Sequence, residues 1–409
     1  MAASPLIVQK FGGTSVADAD RIRAVADYIA RTRRRGVRVV VVVSAMGKET
    51  DELLRLATEV SATRPGREMD MLITAGERKA MALLCMALHD LGVPADSFTG
   101  SQAGLITDSE HTRAKVVEIR ADRVKAAIEA GRVPVIGGAQ GVSEVEHNVT
   151  FLGRGGSDTT AVALAMALGA EACELYTDVS GVFTADPRVV ESARRLHRVS
   201  FEEMLEMCAA GCPKPEMRSV EFARNHGVRL HVRSSFTWEP GTWIEEEDPN
   251  MEQAIISAVT SDASEAKLTV TGVPDRPGVA ARLFRSLADR MVNIDMIEQN
   301  ISQHGTTDIS FTVPHRDLEA AVEVCTSLQP EIGATGVLGD REIATVSLIG
   351  AGMKTHPGVS ATMFETLANE GINIEMISTS AIRITCVVRR ALVEQAVVAL
   401  HDAFKLEAD

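Results

Sequence analysis

Along its first 245 or so residues the chain alternates short, wholly apolar runs with longer segments that are apolar only at helical spacing. Val39–Val43 is an unbroken β-branched run, as expected of a strand covered on both faces. Leu6–Val8 and Val133–Ile136 are further short apolar runs, and Cys173–Tyr176, interrupted only by Glu174, is another strand candidate. Glu52–Glu59, Asp70–Leu91 and Ala121–Glu129 carry helical patterns, and Ala161–Ala170 is a continuous apolar stretch. This alternation predicts an α/β fold, a mostly parallel sheet with helices on both faces. Ligands of such sheets bind beyond the carboxyl ends of the strands. The unusual glycine and polar clusters of this chain fall at those ends: Lys10-Phe11-Gly12-Gly13-Thr14-Ser15, Ser44-Ala45-Met46-Gly47, Gly137-Gly138-Ala139-Gln140-Gly141 and Thr177-Asp178.

The C-terminal third has a different rhythm, because it repeats. Pro277-Gly278-Val279-Ala280 recurs as Pro357-Gly358-Val359-Ser360, and Asn293-Ile294-Asp295-Met296-Ile297 as Asn373-Ile374-Glu375-Met376-Ile377, both offset by 80 residues. Each unit reads strand, Pro-Gly turn, helix, strand. In the first unit these are Lys267–Val273, Val279–Asp289 and Asn293–Gln299. A period of this size predicts two copies of a small α+β module. Trp238–Asn250, with two proline turns and an acidic run, reads as the junction. The expected domains are therefore 1–245, 262–338 and 339–409, with 251–261 as a candidate completing strand for the last.

Composition narrows the class. At about 150 residues per domain the length suits two or three domains. The apolar fraction is 45%, enough for proper cores, and no run approaches a membrane span. A net charge of −14 argues against general nucleic-acid binding. Six scattered cysteines complete no zinc site, so no metal ligand set is assigned. Reduced thiols and an N-terminus without a basic leader predict a cytoplasmic protein. The basic run Arg31–Arg35 reads as a solvated helix C-terminus.

The richest cluster is Gly153-Arg154-Gly155-Gly156-Ser157-Asp158, immediately before the apolar stretch. Adjacent glycines let the backbone approach a ligand closely. Ser157 or Asp158 can cap the following helix, whose N-terminus favours an anion, and Arg154 adds a cationic fork suited to a carboxylate or phosphate. No Walker-type loop is present.

Taken together, Lys10-Phe-Gly-Gly-Thr-Ser, Ser44-Ala-Met-Gly, Gly76-Glu77-Arg78, Gly153-Arg-Gly-Gly-Ser-Asp, Thr177-Asp178 and Phe183-Thr-Ala-Asp-Pro-Arg188 resemble the aspartokinases of the amino acid kinase superfamily. The paired repeat is similar to their two ACT regulatory modules. The resemblance runs from about residue 6 to the C-terminus, with the motifs in order. It implies phosphorylation of the β-carboxylate of L-aspartate by ATP with Mg²⁺, the first step towards lysine, threonine and methionine, under amino-acid feedback. It implies that Lys10 and Asp158 act at the transferring phosphoryl. Ser44, Thr50, Glu77, Arg154, Gly156 and Ser157 would form the substrate pocket, with Arg154 on the α-carboxylate and Glu77 on the amine side. Lys10, Gly12, Gly13, Thr177, Asp178, Phe183, Arg188 and Lys214 would serve the nucleotide, with Gly12 and Gly13 as backbone donors. Asp275, Pro277, Gly278, Asn293 and Asp295 would meet an effector, lysine or threonine, where modules pair between subunits. A homodimer or larger assembly is implied, with a separate ACT-only chain from an internal start at Met251 as a further expectation.

The chain departs from the family pattern at four places. Ala139 stands where an aromatic usually lines the acceptor pocket, which predicts extra volume. Pro213 occupies the position of a nucleotide-contacting lysine, with Lys214 one residue further on. Ser180 replaces a frequent aspartate, and Ala381 a usual glutamate. Two other readings therefore stay open on sequence: a kinase for a different or bulkier carboxylate, and a non-catalytic regulatory homologue.

Overall fold

The valine-rich runs form the centre of an eight-stranded sheet, as their burial demands. The computed structural model describes residues 4–237, 239–246, 256–300, 305–354, 356 and 358–408. The chain divides into two compact units. The first comprises Met1–Val182, Arg195–Cys208 and Pro213–Asn250; the second comprises Phe183–Arg194, Ala209–Cys212 and Met251–Asp409.

The first unit contains strands β1 (Leu6–Phe11), β2 (Arg38–Val43), β3 (Ala95–Phe98), β4 (Leu105–Thr107), β5 (Val116–Ile119), β6 (Val133–Gly137), β7 (Gln140–Ser143), β8 (Val149–Phe151), β9 (Ala172–Thr177), β10 (Arg198–Ser200), β11 (Leu230–Ser234) and β12 (Thr242–Glu245). Its main sheet has the order β10-β12-β11-β9-β1-β2-β6-β3, and a four-stranded sheet has the order β5-β4-β7-β8. In the main sheet β9, β1, β2, β6 and β3 are parallel neighbours, with Lys10 opposite Val42 on one side and Leu175 on the other. The helices are α1 (Ala19–Arg34), α2 (Glu49–Val60), α3 (Gly66–Ile73), α4 (Ala75–Asp90), α5 (Asp122–Glu129), α6 (Gly156–Leu168), α7 (Phe201–Ala209) and α8 (Met217–His226).

Local chemistry sets the ends. Helix α1 starts at Asp18, whose side chain accepts from the Arg21 N–H, and ends with Arg31, Arg33 and Arg34, favourable to the dipole. The single helix expected over Asp70–Leu91 is two, because Thr74 closes α3 by bonding the Asp70 carbonyl through its hydroxyl at 2.8 Å and opens α4. Helix α6 is buried at every position from Gly156 to Ala165, which explains its continuously apolar sequence.

The second unit holds β13 (Ala258–Asp262), β14 (Glu265–Pro274), β15 (Ile297–Gln299), β16 (Thr306–Pro314), β17 (Gly336–Asp340), β18 (Ile343–Ile349), β19 (Met376–Thr379) and β20 (Arg383–Arg389), with helices α9 (Val279–Asp289), α10 (Leu318–Ile332), α11 (Val359–Asn369) and α12 (Val393–Ala403). Two four-stranded sheets result, β15-β16-β14-β17 and β13-β18-β20-β19. The strand expected over Asn293–Gln299 is only Ile297–Gln299, since Asp295 and Met296 bond to Thr312 just outside the ladder proper. Strand β13 precedes the first module in the chain and pairs with β18 of the second. Of the second copy of the repeat, Pro357 lies outside the described residues, as do Trp238, residues 247–250 and Met251 at the junction.

Phe183–Arg194, which sequence placed with the N-terminal domain, groups with the second unit. Its Ala185 and Val190 are buried with Val259, Val346, Leu348 and Leu400 in one apolar core. Thr184 fixes it with every polar group it has. Its N–H donates to the Arg194 carbonyl, its carbonyl accepts from the Val259 N–H, and its hydroxyl accepts from the Arg194 N–H and meets His401 Nε2 at 2.9 Å. Among the described residues no helix is long and apolar enough to cross a membrane.

Candidate active site

Four neighbouring parallel strands, β9, β1, β2 and β6, end together, and the candidate residues of the first unit collect there. Lys10 sits one residue before the end of β1 with its ammonium 2.5 Å from Asp158 Oδ1, and the two residues are 6% and 3% exposed. Gly12 follows, and a Cβ on it would come 3.5 Å from Lys10 Nζ. The Gly12 N–H donates to the Tyr176 carbonyl at 3.1 Å, so the expected free donor at Gly12 is corrected: that group holds β1 to β9. Gly13 is required by close approach, since its Cβ would meet the Ala45 carbonyl oxygen at 2.9 Å.

The end of β2 supplies Ser44, whose N–H donates to the Phe11 carbonyl. Ala45 packs against Gly76 at the start of α4, where a Cβ would meet it at 2.7 Å. This contact places Glu77 beside Gly137 at the end of β6. Glu77 is 3% exposed, and its Oε2 has no hydrogen-bond partner among the described residues. Burial pushes its carboxyl up to about 7, with backbone bonds at Glu77 and Ala45 pulling down and Glu49 adding a smaller push. A buried carboxylate with one oxygen left unpartnered suits a cationic ligand group. Thr50 is half-buried in the first turn of α2.

The glycine-rich loop runs from β8 into α6. Gly153 and Gly155 both adopt left-handed φ, 87° and 72°, which admits few other residues. Gly155 itself is the N-cap, and Ser157 and Asp158 lie within the first turn. The expected side-chain cap at Ser157 or Asp158 is therefore corrected. Gly138 lies so close to Ser157 that a Cβ would reach its hydroxyl at 2.6 Å, and Gly156 faces Ala139 and Leu152. Arg154 is exposed on this loop. Ala139 is buried at φ 57°, its N–H bonded to the Thr160 hydroxyl.

On the β9 side, Thr177 donates to Asp178 Oδ1 at 2.9 Å, and its carbonyl accepts from the Ser235 N–H. Phe183 and Arg188 lie in the second unit, where Arg188 holds Asp186 in a fork, with Nη2 2.6 Å from Oδ2. Lys214 is exposed in the loop before α8.

Several supporting residues escaped the sequence reading. Arg218 donates to the Leu152 and Ala114 carbonyls at 2.8 and 2.9 Å, bracing the strand that leads into the glycine loop. Asp70, fully buried, accepts from the Thr112 N–H and pairs with His111 Nδ1 at 2.7 Å, setting the backbone on which Gly153 rests. Glu216 lies against Gly155, and its N–H points at Asp158 Oδ2 at 3.4 Å. These contacts join segments far apart in sequence, and no local pattern announces them.

In the second unit, Asp275, Pro277, Gly278, Asn293 and Asp295 are all exposed near the N-terminus of α9 and the start of the following loop. Glu375, the repeat counterpart of Asp295, is instead engaged by Lys267 and by Arg389, whose Nε is 2.7 Å away.

This geometry can be set beside known proteins. The amino acid kinase family profile matches residues 5–234, and an ACT domain profile matches 268–327 and 346–404. The aspartokinase of Mycobacterium tuberculosis H37Rv is 55% identical over 408 residues, covering 99% of this chain and 97% of that protein. The chain belongs to the amino acid kinase family, among the aspartokinases. The aspartokinase of Corynebacterium glutamicum is 52% identical over 98% of this chain and 96% of its own. Escherichia coli aspartokinase III, solved with aspartate and ADP, is similar at a TM-score of 0.80 and 25% identity, over 97% of this chain and 99% of that one. The kinase region is followed by two ACT matches.

Proposed function

We propose that this chain transfers the γ-phosphoryl group of ATP to the β-carboxylate of L-aspartate, giving 4-phospho-L-aspartate and ADP. A carboxylate oxygen attacks the γ-phosphorus while the bond to the ADP oxygen breaks. The acceptor is already an anion, so no base is needed, and catalysis rests on positioning and charge neutralisation. The observation that carries the reading is the buried Lys10 ammonium at the end of β1, beside Asp158 of the glycine loop, with the buried Glu77 carboxylate beside the end of β6, two strands along the same sheet. Lys10 would neutralise the transferring phosphoryl, with Asp158 holding it in place. Glu77 would take the acceptor's ammonium and Arg154 its α-carboxylate, with Ser44, Thr50, Gly156 and Ser157 completing the pocket. Thr177, Asp178 and Lys214 would serve the nucleotide together with Gly13. Mg²⁺ would arrive with ATP and offset the charge of its phosphates.

The second unit would bind an amino-acid effector at Asp275, Pro277, Gly278, Asn293 and Asp295. Asp295 stands in an acidic group with Asp262, Glu265 and Asp317. There Glu265 is pushed up to about 7, first by burial and then by these three carboxylates, while Arg316 pulls it down. A surplus of negative charge favours a cationic effector such as lysine. The relatives' lysine complex, Escherichia coli aspartokinase III with lysine and aspartate, supports the same choice. Membership among the aspartokinases supports assembly as a dimer or larger and action in the cytoplasm on the route to lysine, threonine and methionine.

The test is production of ADP and of a hydroxamate with ATP, Mg²⁺, aspartate and hydroxylamine. Arg154→Ala should lower kcat/KM for aspartate by about 1.5–3 kcal/mol, the worth of a hydrogen bond to a charged group. N-acetylaspartate should be a poor acceptor. Turnover with another carboxylate but none with aspartate would overturn the reading.

A further inference from the structure

Glu216 is a carboxylate held against the glycine loop by its own backbone. It is the N-cap residue of α8, with its carbonyl accepting from the Ser219 hydroxyl at 2.6 Å and N–H at 2.9 Å. Its N–H points at Asp158 Oδ2 at 3.4 Å, while Asp158 Oδ1 pairs with Lys10. The side chain runs across the bare face of Gly155: a Cβ there would lie 2.2 Å from Glu216 Cγ and 2.5 Å from Cδ. The left-handed turn at Gly155 thus leaves room for a carboxylate where every other residue would collide. Burial and the charge of Asp158 raise the Glu216 carboxyl, and the fields of Lys214, Arg154 and Arg218 act the other way. Of these three cations, Arg218 is spent on two carbonyls.

We propose that Glu216 is a resident competitor that sets acceptor affinity. Its side chain lies against Gly155, the neighbour of Arg154, and its charge acts within the field of that guanidinium. An acceptor α-carboxylate drawn to Arg154 would enter beside this resident carboxylate and be repelled by it. The acceptor class this selects is one able to offset that repulsion with an ammonium group, which Glu77 receives. A neutral side chain at 216 removes the competition without touching Lys10. This inference rests on aspartate being the acceptor.

The experiment is steady-state kinetics of the full chain with ATP, Mg²⁺ and varied aspartate, for the wild type, Glu216→Gln and Glu216→Asp. Glu216→Gln should lower KM for aspartate by about two- to fivefold, the range for a half-exposed charge contact, with kcat and KM for ATP little changed. Glu216→Asp should stay near the wild-type KM, because the charge remains. A purely structural role would move kcat or stability in both variants and would not separate charge from shape. Wild-type turnover with an unchanged or raised aspartate KM in Glu216→Gln overturns this inference and leaves the kinase reading standing. A Glu216→Gln protein that does not fold, judged by circular dichroism, also overturns it in favour of a structural role. Absence of wild-type turnover with aspartate overturns both.

Discussion

Lys10 Nζ lies 2.5 Å from Asp158 Oδ1, and the strand end and helix start that carry them bury both side chains. The lysine's charge is therefore balanced before any nucleotide arrives, and the buried aspartate depends on it. Removing one member of a buried pair leaves an uncompensated charge, at about 3–5 kcal/mol. Lys10→Ala should lower kcat by about three orders of magnitude, as for loss of a preorganised charge at the transition state. It should also lower the urea midpoint, and Lys10→Ala with Asp158→Asn should recover stability without activity. A Lys10→Ala protein as stable and as active as the wild type would refute both roles of the pair.

Glu77 should make the enzyme sensitive to pH near neutrality. Its folded-state carboxyl titrates at about 7 against an ordinary 4.5. The folded form binds the proton more tightly, so stability from this group is full below 4.5 and falls as pH rises towards about 7. The ceiling is about 3 kcal/mol by the usual conversion. Melting temperatures of wild type and Glu77→Gln should diverge between pH 5 and 8, with the variant more stable at the upper end. Acceptor binding runs the opposite way, because the ammonium needs the ionised form: kcat/KM for aspartate should rise through pH 7 in the wild type.

Gly156→Ala should disturb the glycine loop. A Cβ would meet Leu152 Cβ at 2.9 Å, Ala139 Cβ at 3.0 Å and Ala139 Cα at 3.1 Å, groups close to the backbone that cannot swing away. Overpacking of this kind costs about 1–3 kcal/mol, and chemical denaturation measures it. Activity should fall with it, since Asp158 shares the first turn.

The contact between Thr184 and His401 gives the second unit an acid weakness. Burial holds the His401 pKa below its ordinary 6.5, while Asp402 and Glu407 pull it up. The unfolded chain takes up this proton first. The stability is therefore full above 6.5 and is lost as pH falls through the lower folded-state value. Relative to His401→Gln, the wild type should lose melting temperature between pH 7.5 and pH 5.5.

Much of the site was legible because strand ends are marked by residues that do little else. Lys10 next to two glycines, and Gly153 to Asp158 before an apolar helix, were plain from residue type and position alone. Glu77 carried no local signal and entered only through family resemblance. Glu216 was invisible because its segment was read for a lost lysine, and its contact with Gly155 is made only by the folded chain. The long helix expected from Asp70 failed because a threonine hydroxyl can close one helix and start another without proline or glycine. The segment from Phe183 to Arg194 looked like kinase sequence, and its burial against β13 and α12 partners could be seen only in three dimensions.

The pairing of β13 with β18 means that the first module is nested inside the second, like a clause between parentheses. The second module's sheet opens before Glu265 and is not closed until the last strands of the chain. The two modules therefore cannot be separated by one cut. A fragment beginning at Glu265 would expose the flank of β18, an unpaired edge that invites association. A regulatory chain made from this gene product would have to start upstream of Ala258 to carry its own closing strand.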